Sequence, residues 1–365
     1  MKYFYILIVM IVFHSCSFDN KTGIWKNENT ISKKDKNLFE DFKTLSSLNK
    51  IFDKIIKIDD GFNVKIDKPK KNLDWKDIYF KSTNNFNNFT YKNLNQQFYK
   101  SKSLTKSNVN KFLLLEKNNL IASDDKGNLI VYSVDKNIII LKYNFYKKKF
   151  KKIIKKLNLI VEDNIIYVSD NLGYLYAFDI KKNKILWAKN YKIPFRSNLK
   201  IFDDKLMASN QNNNLYFFNK KTGDLIKLIP TEETVFKNKF TNNLSINKKT
   251  LFFINTYGSL YSIDIETMKL KWFVNLNQSS DINPSNKFAG VELVTYGNKI
   301  LASSKQFTYI IDANIGKILH KKNFSLLIKP TIQNNFIFLI TKNDLLILMN
   351  ITNGKIIYSY NLNQQ

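Results

Sequence analysis

The chain has 365 residues, with 58 Lys and Arg against 30 Asp and Glu, a formal net charge of +28. A hydrophobic share of 44% is enough for a core, and 10 Gly with 5 Pro exclude collagen-like and proline-rich classes. The single cysteine excludes an intrachain disulfide, so stability has to come from packing.

The chain opens with Met1 and Lys2, then an unbroken apolar run from Tyr3 to Phe13, then His14, Ser15 and Cys16. Eleven helical residues rise about 16 Å, well short of a bilayer core. The run therefore predicts a secretory signal over 1–15 rather than a membrane span. Cys16 sits where a bacterial lipoprotein signal places its lipidation cysteine, after the small Ser15. The plainer alternative is an ordinary signal with a chance cysteine. Ser17, in place of an inner-membrane-retaining Asp, predicts sorting to the outer membrane.

Residues 16–74 predict a tether with one short amphipathic helix. The stretch to Lys36 is polar, and Leu38, Phe42, Leu45, Leu48, Phe52 and Ile55 then recur at spacings of three and four. From Trp75 to Leu104 the chain is rich in Asn and aromatics, and Phe98 to Leu104 is expected to be a strand that helps close a ring.

The remainder of the chain is repetitive. A turn residue is followed six positions on by Asp, Asn or Ser, and ten positions on usually by Gly or Asn. Fourteen positions on there is usually a large side chain. Two copies are clear: Gly173, Asp179, Asn183, Trp187 and Gly258, Asp264, Met268, Trp272. The frame also fits Asn213, Asn219, Gly223, Lys227; Gln306, Asp312, Gly316, His320; and Asp344, Asn350, Gly354, Tyr358, with a worn copy at Gly127, Ser133, Asn137, Leu141. The starts lie 46, 40, 45, 48 and 38 residues apart, a period that belongs to propellers and solenoids. Each copy reads as a strand, a turn needing positive φ, an alternating strand and a capped turn. A further strand then ends on a residue able to fill the space between sheets. With one more apolar segment per period, four strands make a propeller blade. The expectation is an all-β propeller over 75–365, of seven blades, with eight next.

The phrase at 173–187, Gly-x-Leu-Tyr-Ala-Phe-Asp followed by Lys-Ile-Leu-Trp, resembles the repeat of the pyrroloquinoline-quinone (PQQ)-like β-propellers. Propellers host many functions, so this likeness speaks to fold first.

The charge invites a nucleic-acid reading, strongest in Lys147 to Lys156. Against it, Arg196 is the only arginine, so the bidentate forks that read phosphate and guanine are missing. Lys, Asn and Ile run high together along the whole chain, and the charge reads as a solvated face. No nucleic-acid partner is expected, and anionic lipid headgroups are a secondary reading.

No catalytic constellation emerges. Quinoprotein dehydrogenases share the PQQ-like blade and resemble one another in a vicinal cysteine pair, calcium-binding Glu and Asn, and a catalytic Asp; here Cys16 stands alone. Asp179, Asp264 and Asp312 occupy turn positions, and His320 occupies a tryptophan position of the repeat. Glu232, Glu233 and Glu292 fall between copies and read as solvated charge. No catalytic, metal or cofactor residue is expected.

A lipid-anchored PQQ-like propeller without catalytic groups resembles the BamB family, lipoproteins of the outer-membrane β-barrel assembly machinery. The resemblance implies a non-enzymatic scaffold on the periplasmic face of the outer membrane. It would bind the periplasmic domains of BamA, alongside other assembly-machinery lipoproteins, and assist barrel insertion. A PQQ-dependent dehydrogenase and a periplasmic glycan- or ligand-binding propeller are the alternatives.

Overall fold

The computed structural model describes residues 51–71, 74–91, 100–233, 241–277 and 290–364, together with the backbone of two short strands. The predicted signal peptide, Cys16, most of the tether and the Leu38 to Leu48 part of the predicted helix lie outside the described residues. The chain divides into two compact units, Met1–Lys50 and Ile51–Gln365. In the first, Ser17–Phe18 pairs antiparallel with Trp25–Lys26.

The described residues of the second unit are all-β, with six four-stranded antiparallel sheets whose strands pair in chain order. Blade I comprises Leu114–Glu116, Asn119–Ser123, Asn128–Ser133 and Ile138–Asn144. Blade II comprises Leu157–Glu162, Ile165–Asp170, Tyr174–Asp179 and Lys184–Asn190. Blade III runs from Lys200–Phe202 to Leu225–Ile229, blade IV from Asn243–Asn247 to Leu270–Asn275. Blade V runs from Val294–Tyr296 to Ile318–Lys322, blade VI from Thr331–Gln333 to Ile356–Asn361. Each copy of the sequence frame is one blade.

Burial orders the strands within a blade. The first three are buried along most of their length, whereas the fourth is largely exposed, as in Lys184–Asn190, where Trp187 alone is buried. The first strands of blades I and II, of III and IV, and of IV and V touch, placing them innermost. The alternation in Tyr174–Asp179 sorts its side chains between two neighbours. Tyr176 and Phe178 join the apolar cluster shared with blade I, while Leu175 and Ala177 join the cluster shared with blade III. Middle strands covered on both faces read as near-continuous apolar runs, which is why Leu251 to Ile254 has no polar face.

Five apolar clusters join the six blades in succession, I with II through V with VI. Among the described residues no such cluster joins VI to I. The described strands therefore make six blades, one for each copy of the frame, where the six copies together with strands expected from 75–104 lead to seven. The described residues of 75–104, a stretch expected to help complete the ring, supply no further four-stranded sheet; Phe98, where the expected closing strand begins, lies outside them. Residues 75–86 instead run along the innermost strands, and 100–104 are not in a strand. The described end of the predicted helix is also different. Ile51–Ile56 is not helical, with Ile56 bridged antiparallel to Ser359 on the outer edge of blade VI and Phe52 packed on Phe324.

Candidate functional site

The segment 75–86 touches the innermost strand of every blade. Trp75 exchanges two backbone hydrogen bonds with Leu115 of blade I, at 2.6 and 2.9 Å, and Val161 N of blade II donates to Lys76 O. Ile246 N of blade IV donates to Ser82 O, and Thr295 N of blade V to Thr83 O. Asn84 Nδ2 donates to Leu244 O and Leu293 O at 2.9 and 2.7 Å. Asn85 exchanges two bonds with Ile332 of blade VI. Primary amides suit this place because each offers both a donor and an acceptor to backbone groups that find no strand neighbour.

Blade III contributes through a charge. Lys200 Nζ, fully buried, donates to Asp77 Oδ2 at 2.5 Å, to Asn84 Oδ1 at 2.6 Å and to Lys81 O at 3.0 Å. Burial pulls the ammonium below the usual lysine range and Asp77 opposes that pull. Three acceptors satisfy its three donors, the condition under which a buried charge is tolerated. Beside it, Lys329 Nζ lies 3.8 Å from the Phe86 ring centroid and donates to Tyr79 O at 2.8 Å. Burial pulls Lys329 down to about 7, against an upward pull from Glu292. Trp75, Phe80, Phe86 and Phe89 form an aromatic group within the segment. A cleft of about 690 Å³ opens beside it, lined by Lys71, Asp74, Lys76, Lys81, Glu162 and Asp163 among others. Its charges largely answer one another: Lys76 lies near Asp74 and Glu116, and Glu162 pairs with Lys220.

The repeat positions do structural work of two kinds. In every blade the pairing of third and fourth strands shifts register once. The residue just beyond the shift is the one at the fourteenth position of the frame. A bulge re-aims the side chain that follows it. Trp187 is turned onto blade III, where its indole N–H donates to Lys220 O at 3.1 Å and a Cβ on Gly223 would collide with Cε3. Trp272 lies the same way on Gly316 of blade V, with its N–H to Ala313 O at 3.2 Å. His320 lies on Gly354 of blade VI, with Nε2 2.9 Å from Thr352 O.

Side-chain oxygens hold the hairpins. Asp179, Asp264 and Asp312 accept from backbone N–H groups of the turn between third and fourth strands. Gly127, Gly173 and Gly258 lie in the turns between second and third strands, all with positive φ. Those turns are held by residues outside the predicted frame, three places ahead of the turn residue. Asp124, Asp170, Asn210 and Asn255 each accept two backbone N–H bonds on Oδ1. The signal was present as a recurring Asp or Asn at that offset. Asp170 also accepts from Tyr146 Oη at 2.6 Å; burial raises its pKa while these hydrogen bonds oppose the rise.

Of the loop acids, Glu232 accepts from Ser259 Oγ at 2.5 Å, Glu233 accepts from Asn214 Nδ2 at 2.8 Å, and Glu292 faces Lys329 and Tyr79. Among the described residues, no three His, Cys, Asp or Glu side chains gather as metal ligands would. No helix among them is long and apolar enough to cross a membrane. What the molecule presents instead is surface. The fourth strands carry exposed aliphatics, including Ile138, Ile139 and Ile140 on blade I and Leu225, Ile226 and Leu228 on blade III.

The family described as "Outer membrane protein assembly factor BamB" matches residues 110–289 and 147–360, a span that takes in nearly all of the six blades. No curated protein matches the chain in sequence. Among solved structures, BamB from Moraxella catarrhalis superposes with a TM-score of 0.58 at 12% identity, covering 71% of this chain and 79% of that one. A computationally designed protein, Ika8, is more distant, with a TM-score of 0.47 at 13% identity over 73% of this chain and 90% of its own.

Proposed function

This chain belongs to the BamB family of outer membrane protein assembly factors, and on that premise we propose that it is a non-enzymatic scaffold on the periplasmic face of the outer membrane. There it binds the periplasmic domains of BamA, beside other assembly-machinery lipoproteins, and assists insertion of β-barrel proteins. Acylated Cys16 holds it to the membrane, and Ser17 permits its sorting there.

The observation that carries this reading is the extent of the family match, which covers the blades from I to VI rather than one repeat. The architecture is consistent with it. A segment bonded to all six inner strands makes a stiff platform, and a stiff platform presents its loops and edges with little ordering cost to a partner. An outer edge can take an extended segment, because blade VI already does so with Ile56: the two residues exchange backbone bonds of 3.2 and 3.0 Å. Strand addition of this kind supplies affinity through the backbone and specificity through alternate side chains.

The test is affinity capture of the full chain from its own membranes in mild detergent, with identification of the co-purifying proteins. BamA among them supports the scaffold. Its reproducible absence beside a different partner overturns it and leaves the propeller in place. Substrate turnover above background after addition of PQQ and calcium would move the reading to the dehydrogenase class. Mass spectrometry of the mature N-terminus checks the anchor, with an acylated Cys16 the expected result.

A further inference from the structure

The lysine run 147–156 has no part in the scaffold just described. It links the outer strand of blade I to the inner strand of blade II, and its base is fixed. Asn171 Nδ2 donates to Ile154 O at 3.0 Å, Lys156 N donates to Asn171 Oδ1 at 2.8 Å, and Lys155 N donates to Asp125 O at 2.9 Å. Lys155 itself is buried, with Nζ donating to Phe150 O at 2.6 Å and lying over the Tyr146 ring. Phe150 is turned edge-on to Tyr146 and Tyr174. The other lysines, Lys147, Lys148, Lys149, Lys151, Lys152 and Lys156, are exposed and form no ion pair among the described residues. Between them stand Ile153 and Ile154, the latter 64% exposed.

A second connection repeats the pattern. Strand direction alternates within a blade, so every link from an outer strand to the next inner strand emerges on one face of the propeller. The hairpins between second and third strands share that face. The link from blade V to blade VI projects Leu327 and Ile328, 52% and 51% exposed. Leu113, on the approach to blade I, is exposed on the same face. The aliphatic pairs therefore flank the junction of blades VI and I. The hairpins of the opposite face carry mostly Asn, Asp and Lys, with single exposed aliphatics at Val134 and Ile315 rather than pairs.

We propose that this face docks on an anionic phospholipid surface. The pairs Ile153–Ile154 and Leu327–Ile328 enter the boundary between headgroups and acyl chains, and the lysines of the run meet the lipid phosphates. Basic side chains around a small aliphatic tip are the composition of interfacial membrane contacts. Nucleic acid fits less well, because the run has no arginine and its one aromatic, Phe150, is folded inward rather than free to stack on a base. The inference is independent of acylation at Cys16, which would add to it.

The experiment uses the full chain with Cys16→Ser, so that no acyl chain contributes. Sedimentation is measured with vesicles of phosphatidylethanolamine and phosphatidylglycerol, and with vesicles of phosphatidylcholine alone. Preference for the anionic vesicles, falling with salt, is expected. Each lysine near such a surface is worth roughly fivefold in affinity, so changing Lys148, Lys149, Lys151 and Lys152 together to Gln should weaken binding by at least about a hundredfold. Ile153→Ser with Ile154→Ser should weaken it about tenfold and leave a remainder wholly removable by salt. All six positions are exposed, so an unchanged urea midpoint confirms that the variants fold. Equal binding by all variants overturns the proposal. So does full binding by the isoleucine variant, which would mean electrostatic adsorption without insertion. Intact vesicle binding with loss of an acidic protein from affinity capture would assign the run to that protein and overturn it equally.

Discussion

Lys200 and Asp77, 123 residues apart in sequence, meet at 2.5 Å with both side chains buried. One sits on the inner strand of blade III and the other in the segment that crosses all six blades. Breaking a buried pair by removing one partner typically costs about 3–5 kcal/mol. Lys200→Met is therefore expected to lower the unfolding free energy by roughly that amount, since Asp77 is left charged and dry. Lys200→Met with Asp77→Leu should lose less than the sum of the single changes. Urea unfolding of the four proteins measures the coupling; strict additivity would show that the pair does not act as a unit.

The indole of Trp187 lies on the Cα of Gly223, and Trp272 repeats this on Gly316. Neither glycine has room for a methyl group, and both have positive φ, 75° and 74°. Gly223→Ala and Gly316→Ala should each lower stability by about 1–3 kcal/mol through overpacking and backbone strain. Trp187→Ala should lower it by about 3–5 kcal/mol. Combining Trp187→Ala with Gly223→Ala should be less than additive, because the first change makes the room that the second needs. Thermal melts of the single and double variants check this.

Lys329 carries a pH dependence whose sign follows from its surroundings. Burial, the largest influence, brings it from 10.5 down to about 7, with Lys200 and Lys81 pulling the same way and Glu292 and Asp77 opposing. The unfolded chain then binds the extra proton between those two values. This group's penalty is full below about pH 7 and is relieved as pH rises toward 10.5. Wild-type urea midpoints should climb across that window relative to Lys329→Met, which cannot titrate. Parallel curves for the two proteins would remove Lys329 as the cause.

Asp170 holds two backbone N–H groups with one oxygen and the Tyr146 hydroxyl with the other. Asp170→Ala leaves these donors unanswered in a buried place and should cost roughly 1–3 kcal/mol per lost partner. Asp170→Asn should restore most of the loss, since Asn210 and Asn255 hold the same turns of blades III and IV. An Asn variant as unstable as the Ala variant would mean that the carboxylate charge matters more than the turn.

The periodic part of this architecture was legible because it is local. Hairpin turns, strand alternation and the large residue at the fourteenth position repeat within about forty residues, and each has a physical cause inside its own blade or the next. The hub was not legible. Asp77, Asn84 and Lys200 carry no shared spacing, and only the finished fold makes them neighbours. The spacing of Phe52 and Ile55 suits a helix, yet Ile51–Ile56 is not helical. Pairing with Ser359, more than three hundred positions away, outweighs a local preference that is weak by comparison. The Asn-rich stretch at 84–88 was visible as composition; that its amides would cap the inner strands of blades IV, V and VI needed the structure.

The bond between Ile56 and Ser359 spans 303 positions, and it sets an order of events. Blades II to VI can each form against the blade before, through an apolar cluster shared by neighbours in sequence. The pairing of Ile56 with the outer strand of blade VI is different, because that strand is made about three hundred residues after its partner. Closing so long a loop is slow, and a late-closing sheet leaves its edge open to other chains in the meantime. The outer strand of blade VI, Ile356–Asn361, is therefore open to other chains until Ile56 pairs with it, even with five blades already folded.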